Sequence, residues 1–261
     1  MDTARGSILP VQRRGEILEE LMLTGNVVVS ALAQRYGVSE ETIRRDLERL
    51  EAEGYARKTY GGAVRLDNEV RELPYTVRKQ TNVAAKKRIA ERIATLIHDG
   101  DSVMLDASTT ALFTVQSMAH KHRLTVITNS VEILVSLPSG HDWHVVSTGG
   151  RFEGEAMAFY GDVAQRTAGQ YYADYAILSC KGLDRQRGIS DTSEEVVELK
   201  RAMMASVRHT ILGVDHSKLD KVSLVHMGEL DEVHAVVTDV PPSEPWRQTL
   251  EDAKILLYDR D

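Results

Sequence analysis

Residues 38–50 read VSEETIRRDLERL, and this stretch decides the fold of the first part of the chain. Ser39 is a typical N-cap, and the two glutamates that follow it place negative charge at the positive end of a helix dipole. At about 100° per residue, Ile43, Leu47 and Leu50 fall within roughly 60° of one another, and Arg45 lies on the opposite face. The pattern predicts a helix that packs on its own domain through one side and presents guanidinium groups on the other.

That division of faces is what a recognition helix needs, because bidentate guanidinium groups can read guanine edges and hold phosphates. Taken alone, the helix is equally well explained as an ordinary amphipathic helix with a solvated charged face. The segments on either side favour the recognition helix, since they complete a helix-turn-helix.

Apolar residues at helical spacing predict a first helix over residues 13–23, and the β-branched run 27–29 suits a short strand. Ser30 is expected to cap a second helix over residues 31–36. Gly37 follows at a position where a helix end favours φ > 0, so only two residues separate the second helix from the cap of the third.

A β-hairpin is predicted after the third helix. Residues 55–60 and 63–66 have strand character, and Gly61-Gly62 between them is a tight-turn dipeptide. The hairpin includes Arg57, Lys58 and Arg65, so it resembles a wing that contacts phosphates beside the groove. The sequence therefore predicts a winged helix-turn-helix, and the candidate DNA-binding residues are Ser39, Thr42, Arg44, Arg45, Arg49, Arg57 and Lys58.

Residues from about 13 to 64 resemble the DNA-binding domain of the DeoR-type family of bacterial transcription repressors. The resemblance rests on VSEETIRRDL at residues 38–47 and on RKTYGGA at residues 57–63. A long ungapped match that includes the Gly-Gly-Ala wing is more specific than a bare helix-turn-helix pattern. The resemblance implies a regulator that binds operator DNA. We expect a homodimer or homotetramer, because a single winged helix-turn-helix, called the head below, reads too few base pairs for useful specificity.

Composition fits a two-domain protein that reads short DNA sites. The 261 residues are too many for a lone winged helix, so a second domain of about 200 residues is expected. The net charge of −7 arises outside the head, because ten basic residues balance ten acidic residues through residue 66. A neutral head with its basic residues on one face can bind DNA, while an acidic body limits non-specific adhesion.

The sequence also excludes several classes of protein. One cysteine, Cys180, excludes a disulfide framework and a cysteine-based zinc site. No apolar run reaches membrane-spanning length and the N-terminus has no signal-peptide core, so we expect a cytoplasmic protein without membrane contact. His120 and His122 could form half of a metal site, but surface histidines are favoured, and neither a metal nor a cofactor is expected. Cys180 beside Lys181 could have a lowered thiol pKa, although a buried strand-end cysteine is favoured.

The expected domain boundaries are a disordered extension over residues 1–10, the winged helix-turn-helix over 11–66, a linker over 67–85 and an effector-sensing domain over 86–261. The linker is polar, and Leu73-Pro74 is expected to break regular structure there.

From residue 84 onward, short apolar strands alternate with helices. Helices are expected at residues 86–97, 110–120 and 193–207. Strands are expected at 102–105, 124–128, 144–147, 175–179, 210–214 and 235–238. This alternation predicts an α/β fold, with a mainly parallel sheet covered on both faces. In such sheets ligands bind beyond the carboxyl ends of the strands.

The residues that follow these strands suit a sugar phosphate. Asp106 precedes Ser108, Thr109 and Thr110, whose hydroxyl and backbone N–H groups can hold an anion at a helix start. An N-cap without a ligand would explain this run alone, so the prediction depends on all the strand ends together. The other candidate effector contacts are Asn129, Gly149, Gly150, Lys181, Glu194, Lys200, Asp215 and Lys218.

Residues from about 86 to 239 resemble the sensor domain of the same family, through DASTT at 106–110, TNS at 128–130, Gly149-Gly150, Gly161, Gly182 and DHSK at 215–218. The family's sensor is similar in fold to ribose-5-phosphate isomerase, and its members typically respond to phosphorylated intermediates of sugar catabolism. The resemblance implies a repressor of a carbohydrate-catabolism operon that a phosphorylated sugar releases. Two departures bear on the ligand: Ser108 stands where many relatives have glycine, and LSCKG at 178–182 replaces a Gly-Ala-Asp-Gly-like run.

The alternative function is a sugar-phosphate isomerase-type enzyme that carries a DNA-binding head. It would use Asp106, Glu194 or Glu195 as the base, and it needs an acid–base pair placed against a substrate carbon. A similar fold does not confer catalysis, and the winged helix favours a regulator that is not an enzyme.

Overall fold

The computed structural model describes residues 9–66, 75–137 and 139–259. The chain divides into two compact units, Met1–Thr81 and Asn82–Asp261.

The first unit is a winged helix-turn-helix. It contains α1 (Pro10–Thr24), β1 (Asn26–Val28), α2 (Val29–Tyr36), α3 (Glu40–Ala52), β2 (Ala56–Thr59), β3 (Gly62–Arg65) and α4 (Tyr75–Gln80). The three strands form an antiparallel sheet in the order β1-β3-β2. Its core includes Ile17, Leu21, Leu32, Ile43 and Leu47, all buried, so the fold predicted for the head is confirmed.

The start of α2 differs from the prediction. Residue Val28 occupies the N-cap without a side-chain hydrogen bond, so Ser30 lies inside the helix and does not cap it. The amide of Val29 instead donates to the carbonyl oxygen of Gly61 at 2.9 Å, which ties the helix start to the wing.

The turn of the wing is also one residue earlier than predicted. Thr59 pairs with Gly62, so the loop is Tyr60-Gly61 and Gly62 belongs to β3. A Cβ at Gly62 would lie 1.9 Å from the carbonyl oxygen of Val27. The second glycine is therefore required by the close approach of β1 and not by the turn.

The second unit is an α/β domain. Its helices are α5 (Val83–Leu96), α6 (Thr109–Ser117), α7 (Val131–Val135), α8 (Asp162–Ala168), α9 (Glu194–Ala205) and α10 (Glu244–Asp252). Its strands are β4 (Ser102–Leu105), β5 (Thr125–Thr128), β6 (His144–Ser147), β7 (Arg151–Glu153), β8 (Ala158–Tyr160), β9 (Ala173–Leu178), β10 (Gly182–Asp184), β11 (Gly188–Asp191), β12 (Val207–Val214), β13 (Val225–Gly228), β14 (Ala235–Thr238) and β15 (Leu256–Tyr258). Two short 3₁₀ turns cover His216–Lys218 and Leu230–Glu232.

Seven strands form one parallel sheet in the order β15-β14-β12-β9-β4-β5-β6. All six strands predicted in this part of the chain belong to it, which confirms the predicted α/β class. Two smaller antiparallel sheets, β7-β8 and β10-β11-β13, were not predicted.

The glycine in β12 lets helices lie close against the sheet. A Cβ at Gly213 would lie 3.0 Å from Cγ2 of Thr110 and 3.1 Å from side-chain carbons of Ile89 and Ile93. Because that Cβ is absent, the first turn of α6 can pack on the sheet beside the end of β4.

The predicted linker over residues 67–85 is helical in part. Both α4 and the start of α5 fall within it. Leu73-Pro74, where a break in regular structure was predicted, lies outside the described residues. Tyr75 is 2% exposed and α4 packs against α1, so burial of one aromatic side chain outweighs a polar composition. A disordered extension was predicted over residues 1–10. Residues 1–8 lie outside the described part of the chain, and α1 begins at Pro10.

Among the residues that the structure describes, no helix combines the length and the apolar character needed to cross a membrane.

Candidate functional site

Helix α3 has the two faces that its sequence predicts. The Oγ of Ser39 caps it by accepting a hydrogen bond from the amide of Thr42 at 3.2 Å, and it lies 2.9 Å from the hydroxyl of Thr42. Ile43, Leu47 and Leu50 are buried. The side chain of Arg45 on the other face is 74% exposed, so α3 docks through its apolar side and leaves the opposite side open.

A buried ion pair that the sequence analysis missed joins α1 to α3. The Nε of Arg13 lies 2.6 Å from Oδ2 of Asp46, and a guanidinium nitrogen of Arg14 lies 3.6 Å from Oδ1. Arg13 therefore holds the head together and is not available to DNA, although it counts among the basic residues of the head. The position of Asp46 in the sequence could have indicated its burial, because it lies about 60° from Ile43 around the helix, at the border of the apolar stripe.

Three of the predicted DNA-contacting cations pair with carboxylates of the same unit. The pairs are Arg44–Glu40 at 2.9 Å, Arg45–Glu41 at 3.6 Å and Lys58–Glu48 at 2.7 Å. A hydrogen bond from Lys58, together with its charge, holds the pKa of Glu48 below its ordinary value. Arg49 on α3 and Arg57 on the wing are exposed. These acidic partners were not anticipated as part of the candidate interface.

In the second unit, four strand ends meet along one edge of the parallel sheet. Strands β12, β9, β4 and β5 are neighbours in that order. They are followed by Asp215, Ser179, Asp106 and Asn129, respectively. Since parallel strands end at the same edge, the structure brings together most of the residues that the sequence singled out.

The loop after β4 is shaped by Asp106. Its Oδ1 accepts a hydrogen bond from the amide of Ser108 at 3.0 Å, and its Oδ2 accepts one from the amide of Ser179 at 3.0 Å. Ser108 caps α6 through a 3.0 Å bond from the amide of Ala111 to its Oγ. No described residue accepts a hydrogen bond from the amides of Thr109 or Thr110, so the first turn of α6 has two donors for an anion.

The ammonium group of Lys200 is surrounded by acceptors of the protein itself. Its Nζ lies 2.6 Å from Oδ2 of Asp191 and 3.1 Å from Oδ2 of Asp106, and it donates to the carbonyl oxygen of Ser179 at 2.7 Å. Burial disfavours the charged amine, but the two carboxylates outweigh it and raise the pKa of Lys200 above its ordinary value. The ammonium group therefore joins three strand ends to α9, and a direct contact of Lys200 with an effector stays a prediction. Asp191, at the end of β11, was missed.

Asn129 has a fixed orientation and one unused acceptor. Its side-chain Nδ2 donates to the main-chain carbonyl oxygen of Phe159 at 3.0 Å. The main-chain carbonyl oxygen of Asn129 accepts a hydrogen bond from the amide of Phe159 at 2.8 Å. Because Nδ2 is held by a carbonyl, the side-chain oxygen must point elsewhere. That Oδ1 is buried and has no hydrogen-bond partner among the described residues. A buried acceptor without a partner is unusual in a folded protein and fits a ligand donor.

The loop after β12 places a lysine beside a buried carboxylate. Asp215 caps the 3₁₀ turn by accepting from the amide of Ser217 at 3.0 Å. Burial works to raise the pKa of Asp215, but the charge of Lys218, the hydrogen bonds from Ser217 and the charge of Lys86 lower it. Lys218 is half-buried at this position. Asp239 follows β14 at the same edge of the sheet, and its Oδ2 lies 2.9 Å from Nδ1 of His216.

The remaining predicted residues lie around this edge. Gly150 follows β6 with φ of 112°, and a Cβ there would lie 2.6 Å from the carbonyl oxygen of Tyr160, so its small size serves packing. Gly149 has φ of 61°, the half-buried Lys181 follows β9, and Glu194 is exposed at the start of α9.

The favoured interpretation of Cys180 as a buried strand-end residue is confirmed. Burial raises the pKa of its thiol to about 12, so the alternative of a lowered pKa is wrong.

Comparison with known families identifies both units. A family model described as the DeoR C terminal sensor domain matches residues 81–240. A second model, described as the DeoR-like helix-turn-helix domain, matches residues 13–69.

Two curated relatives match over nearly the whole chain. The uncharacterized HTH-type transcriptional regulator YulB of Bacillus subtilis is 36% identical over 248 residues, which are 95% of this chain and 96% of that protein. The glycerol-3-phosphate regulon repressor of Escherichia coli is 30% identical over 246 residues, 94% of this chain and 97% of that protein. A ribose 5-phosphate isomerase of Methanocaldococcus jannaschii aligns with 51% of this chain and 53% of its own, at 14% identity and a TM-score of 0.36.

Proposed function

Because the chain belongs to the DeoR family of transcriptional regulators, we propose that it represses a carbohydrate-catabolism operon and leaves its operator when a phosphorylated sugar binds. The observation that carries the proposal is the division of α3, whose apolar side is buried while Arg45 is open to solvent. The similarity to a glycerol-3-phosphate regulon repressor supports both the repressor role and a phosphorylated effector.

In the proposed DNA complex, Thr42, Arg44 and Arg45 enter the major groove. Arg57 and Lys58 contact phosphates from the wing. Ser39 and Arg49 flank the groove at the two ends of the exposed face of α3. This assignment separates base reading from backbone contacts, which predicts different consequences when each class is removed.

In the proposed effector complex, the phosphate accepts hydrogen bonds from the amides of Thr109 and Thr110, with Lys218 as the cation. A hydroxyl of the sugar donates to Oδ1 of Asn129, which satisfies the buried acceptor. Ser108 and Asp106 order the loop, Lys200 holds Asp106, and the other candidate contacts around the edge are Gly149, Gly150, Lys181, Glu194 and Asp215. Two free amides at the start of α6 can bind a phosphate, and the side-chain oxygen that follows β5 can accept a hydrogen bond from a hydroxyl group. Together they suit a phosphate ester of a sugar or polyol.

We infer that the regulator is not an enzyme. Both carboxylate oxygens of Asp106 already accept hydrogen bonds, and Glu194 and Glu195 are exposed, so the three bases considered for an isomerase lack the setting of a general base. The curated relatives described above are transcriptional regulators.

We further infer a homodimer or homotetramer, since one head reads only a short half-site. Light scattering that finds only monomers, both with and without operator DNA, would contradict this assembly.

The DNA assignment is tested with Arg45→Ala on an operator selected from a randomised duplex library. We expect a loss of about 1–3 kcal/mol in operator binding and a relaxed preference at one base position, because a bidentate base contact is removed. Lys58→Ala is the comparison, and it should weaken operator and random DNA alike and reduce the salt dependence. Unchanged affinity and selectivity of Arg45→Ala would contradict the assignment of Arg45 to base reading. A panel of phosphorylated sugars added to the wild-type complex then tests release.

A further inference from the structure

The helix proposed to read DNA has a net negative charge. Helix α3 contains five carboxylates and three guanidinium groups. Asp46 is buried in its ion pair with Arg13, which leaves four carboxylates on the accessible sides of the helix. A surface that only had to attract DNA phosphates would be basic, so these carboxylates call for a specific account.

Two of the four carboxylates share the exposed face with Arg45. At about 100° per residue, Glu41 and Glu48 lie within roughly 60° of Arg45 around the helix, whereas Glu51 lies roughly 120° away. The side chain of Glu41 is 68% exposed and that of Glu48 is 55% exposed. Glu41 lies 3.6 Å from Nε of Arg45, and Glu48 lies 2.7 Å from Nζ of Lys58 on the wing.

The two pairs act differently on random DNA and on an operator. Binding to random DNA depends almost entirely on phosphate contacts. When Arg45 or Lys58 turns to a phosphate, its ion pair breaks and a carboxylate is left close to the negatively charged backbone. Lys58 makes its phosphate contact on both kinds of DNA, so the cost of breaking its pair with Glu48 is the same in both. At the operator Arg45 instead turns its two terminal nitrogens to a base edge, and its Nε, the atom that faces Glu41, stays available to that carboxylate.

We propose that Glu41 is a specificity-determining residue that weakens binding to non-operator DNA more than binding to the operator. The inference rests on the proposed DNA-binding function. Glu41 penalises a complex in which Arg45 contacts only phosphates, whereas Glu48 weakens both complexes alike.

The test uses the full-length variants Glu41→Gln and Glu48→Gln, which remove one charge each and preserve side-chain length. Binding to a random-sequence duplex is measured across a range of salt concentrations. For Glu41→Gln we expect about threefold tighter binding to the random duplex and a smaller gain on the operator, so the ratio of operator to random affinity should fall. For Glu48→Gln we expect a similar gain on both duplexes and an unchanged ratio, because Lys58 contacts phosphates in both complexes.

Glu51→Gln is the matched control, since it makes the same charge change on the same helix roughly 120° away from Arg45. The Oε1 of Glu51 accepts the amide of Lys58 at 2.8 Å, and glutamine retains that acceptor. An operator-to-random ratio that is unchanged in Glu41→Gln, or that falls equally in all three variants, would overturn the inference. Loss of operator binding in Glu41→Gln would assign Glu41 to base reading instead. A wild-type protein that binds no DNA would contradict the proposed function itself.

Discussion

At the scale of single residues, the pair Arg13–Asp46 is the interaction on which the docking of α3 most depends. Both side chains are 6% exposed, and the two atoms lie 2.6 Å apart. Asp46→Ala would leave a buried guanidinium without its carboxylate, so we expect the free energy of unfolding to fall by about 3–5 kcal/mol. Urea denaturation of the full-length variant, followed by circular dichroism, measures this change.

The control is Glu20→Ala, which removes the exposed ion pair between Glu20 and Arg35 in the same unit. That pair is open to solvent and should contribute less than about 1 kcal/mol. If the two variants lose the same stability, Arg13–Asp46 is no more than a surface pair.

The same pair marks the limit of prediction at this scale. The apolar spacing of residues 43, 47 and 50 indicated which positions are buried, because a hydrophobic stripe depends only on local sequence. It did not indicate that Asp46 is buried with them, since its partner lies 33 residues away and is placed by tertiary packing.

At the scale of elements, the wing depends on the glycine in β3. Gly62→Ala would place a Cβ 1.9 Å from the carbonyl oxygen of Val27, so β1 and β3 could not keep their pairing. We expect a loss of about 3 kcal/mol or more, since backbone must move. Thermal unfolding of the variant measures it. Gly61→Ala is the control, because a Cβ there meets no atom within 4 Å, and it should melt close to the wild type. Equal effects of the two substitutions would refute the close-approach explanation.

Secondary structure was predictable where apolar runs alternate with helices along the chain. The six predicted strands of the parallel sheet are apolar runs such as Val103 to Leu105, which the sequence separates clearly from the helices around them. The hairpin β7-β8 and the sheet β10-β11-β13 were missed, because most of their strands, such as Arg151–Glu153 and Gly182–Asp184, are short segments of mixed polarity and not apolar runs. Their pairing depends on distant parts of the chain.

At the scale of the whole molecule, the set of residues at the carboxyl-end edge of the parallel sheet was predictable, but the contacts that each of them makes there were not. Parallel strands end at one edge, so listing strand-end residues was enough to bring Asp106, Asn129 and Asp215 together. Which groups remain available depends on packing. Lys200 is engaged by Asp106 and Asp191, whereas Oδ1 of Asn129 has no partner among the described residues.

The last prediction links the two units through the effector. If Lys218 is the cation for the phosphate, Lys218→Ala removes a charged hydrogen bond of about 1.5–3 kcal/mol, and effector affinity should fall at least tenfold. Affinity for operator DNA without effector should stay unchanged, because Lys218 and α3 belong to different units. The variant should therefore stay on its operator at effector concentrations that release the wild type. Calorimetry gives the first quantity, and a gel-shift titration gives the second.

Arg208→Ala supplies the matched control, since it removes one positive charge from the opposite, amino-terminal end of the strand that precedes Lys218. Its effector affinity should equal that of the wild type, because a charge at the far edge of the sheet cannot contact the phosphate. Thr109→Val tests the other side of the site and retains the backbone amide, so it should weaken effector binding less than Lys218→Ala does. Undiminished effector affinity in both Lys218→Ala and Thr109→Val would mean that the effector binds elsewhere, while the DNA-binding assignment of α3 would stand.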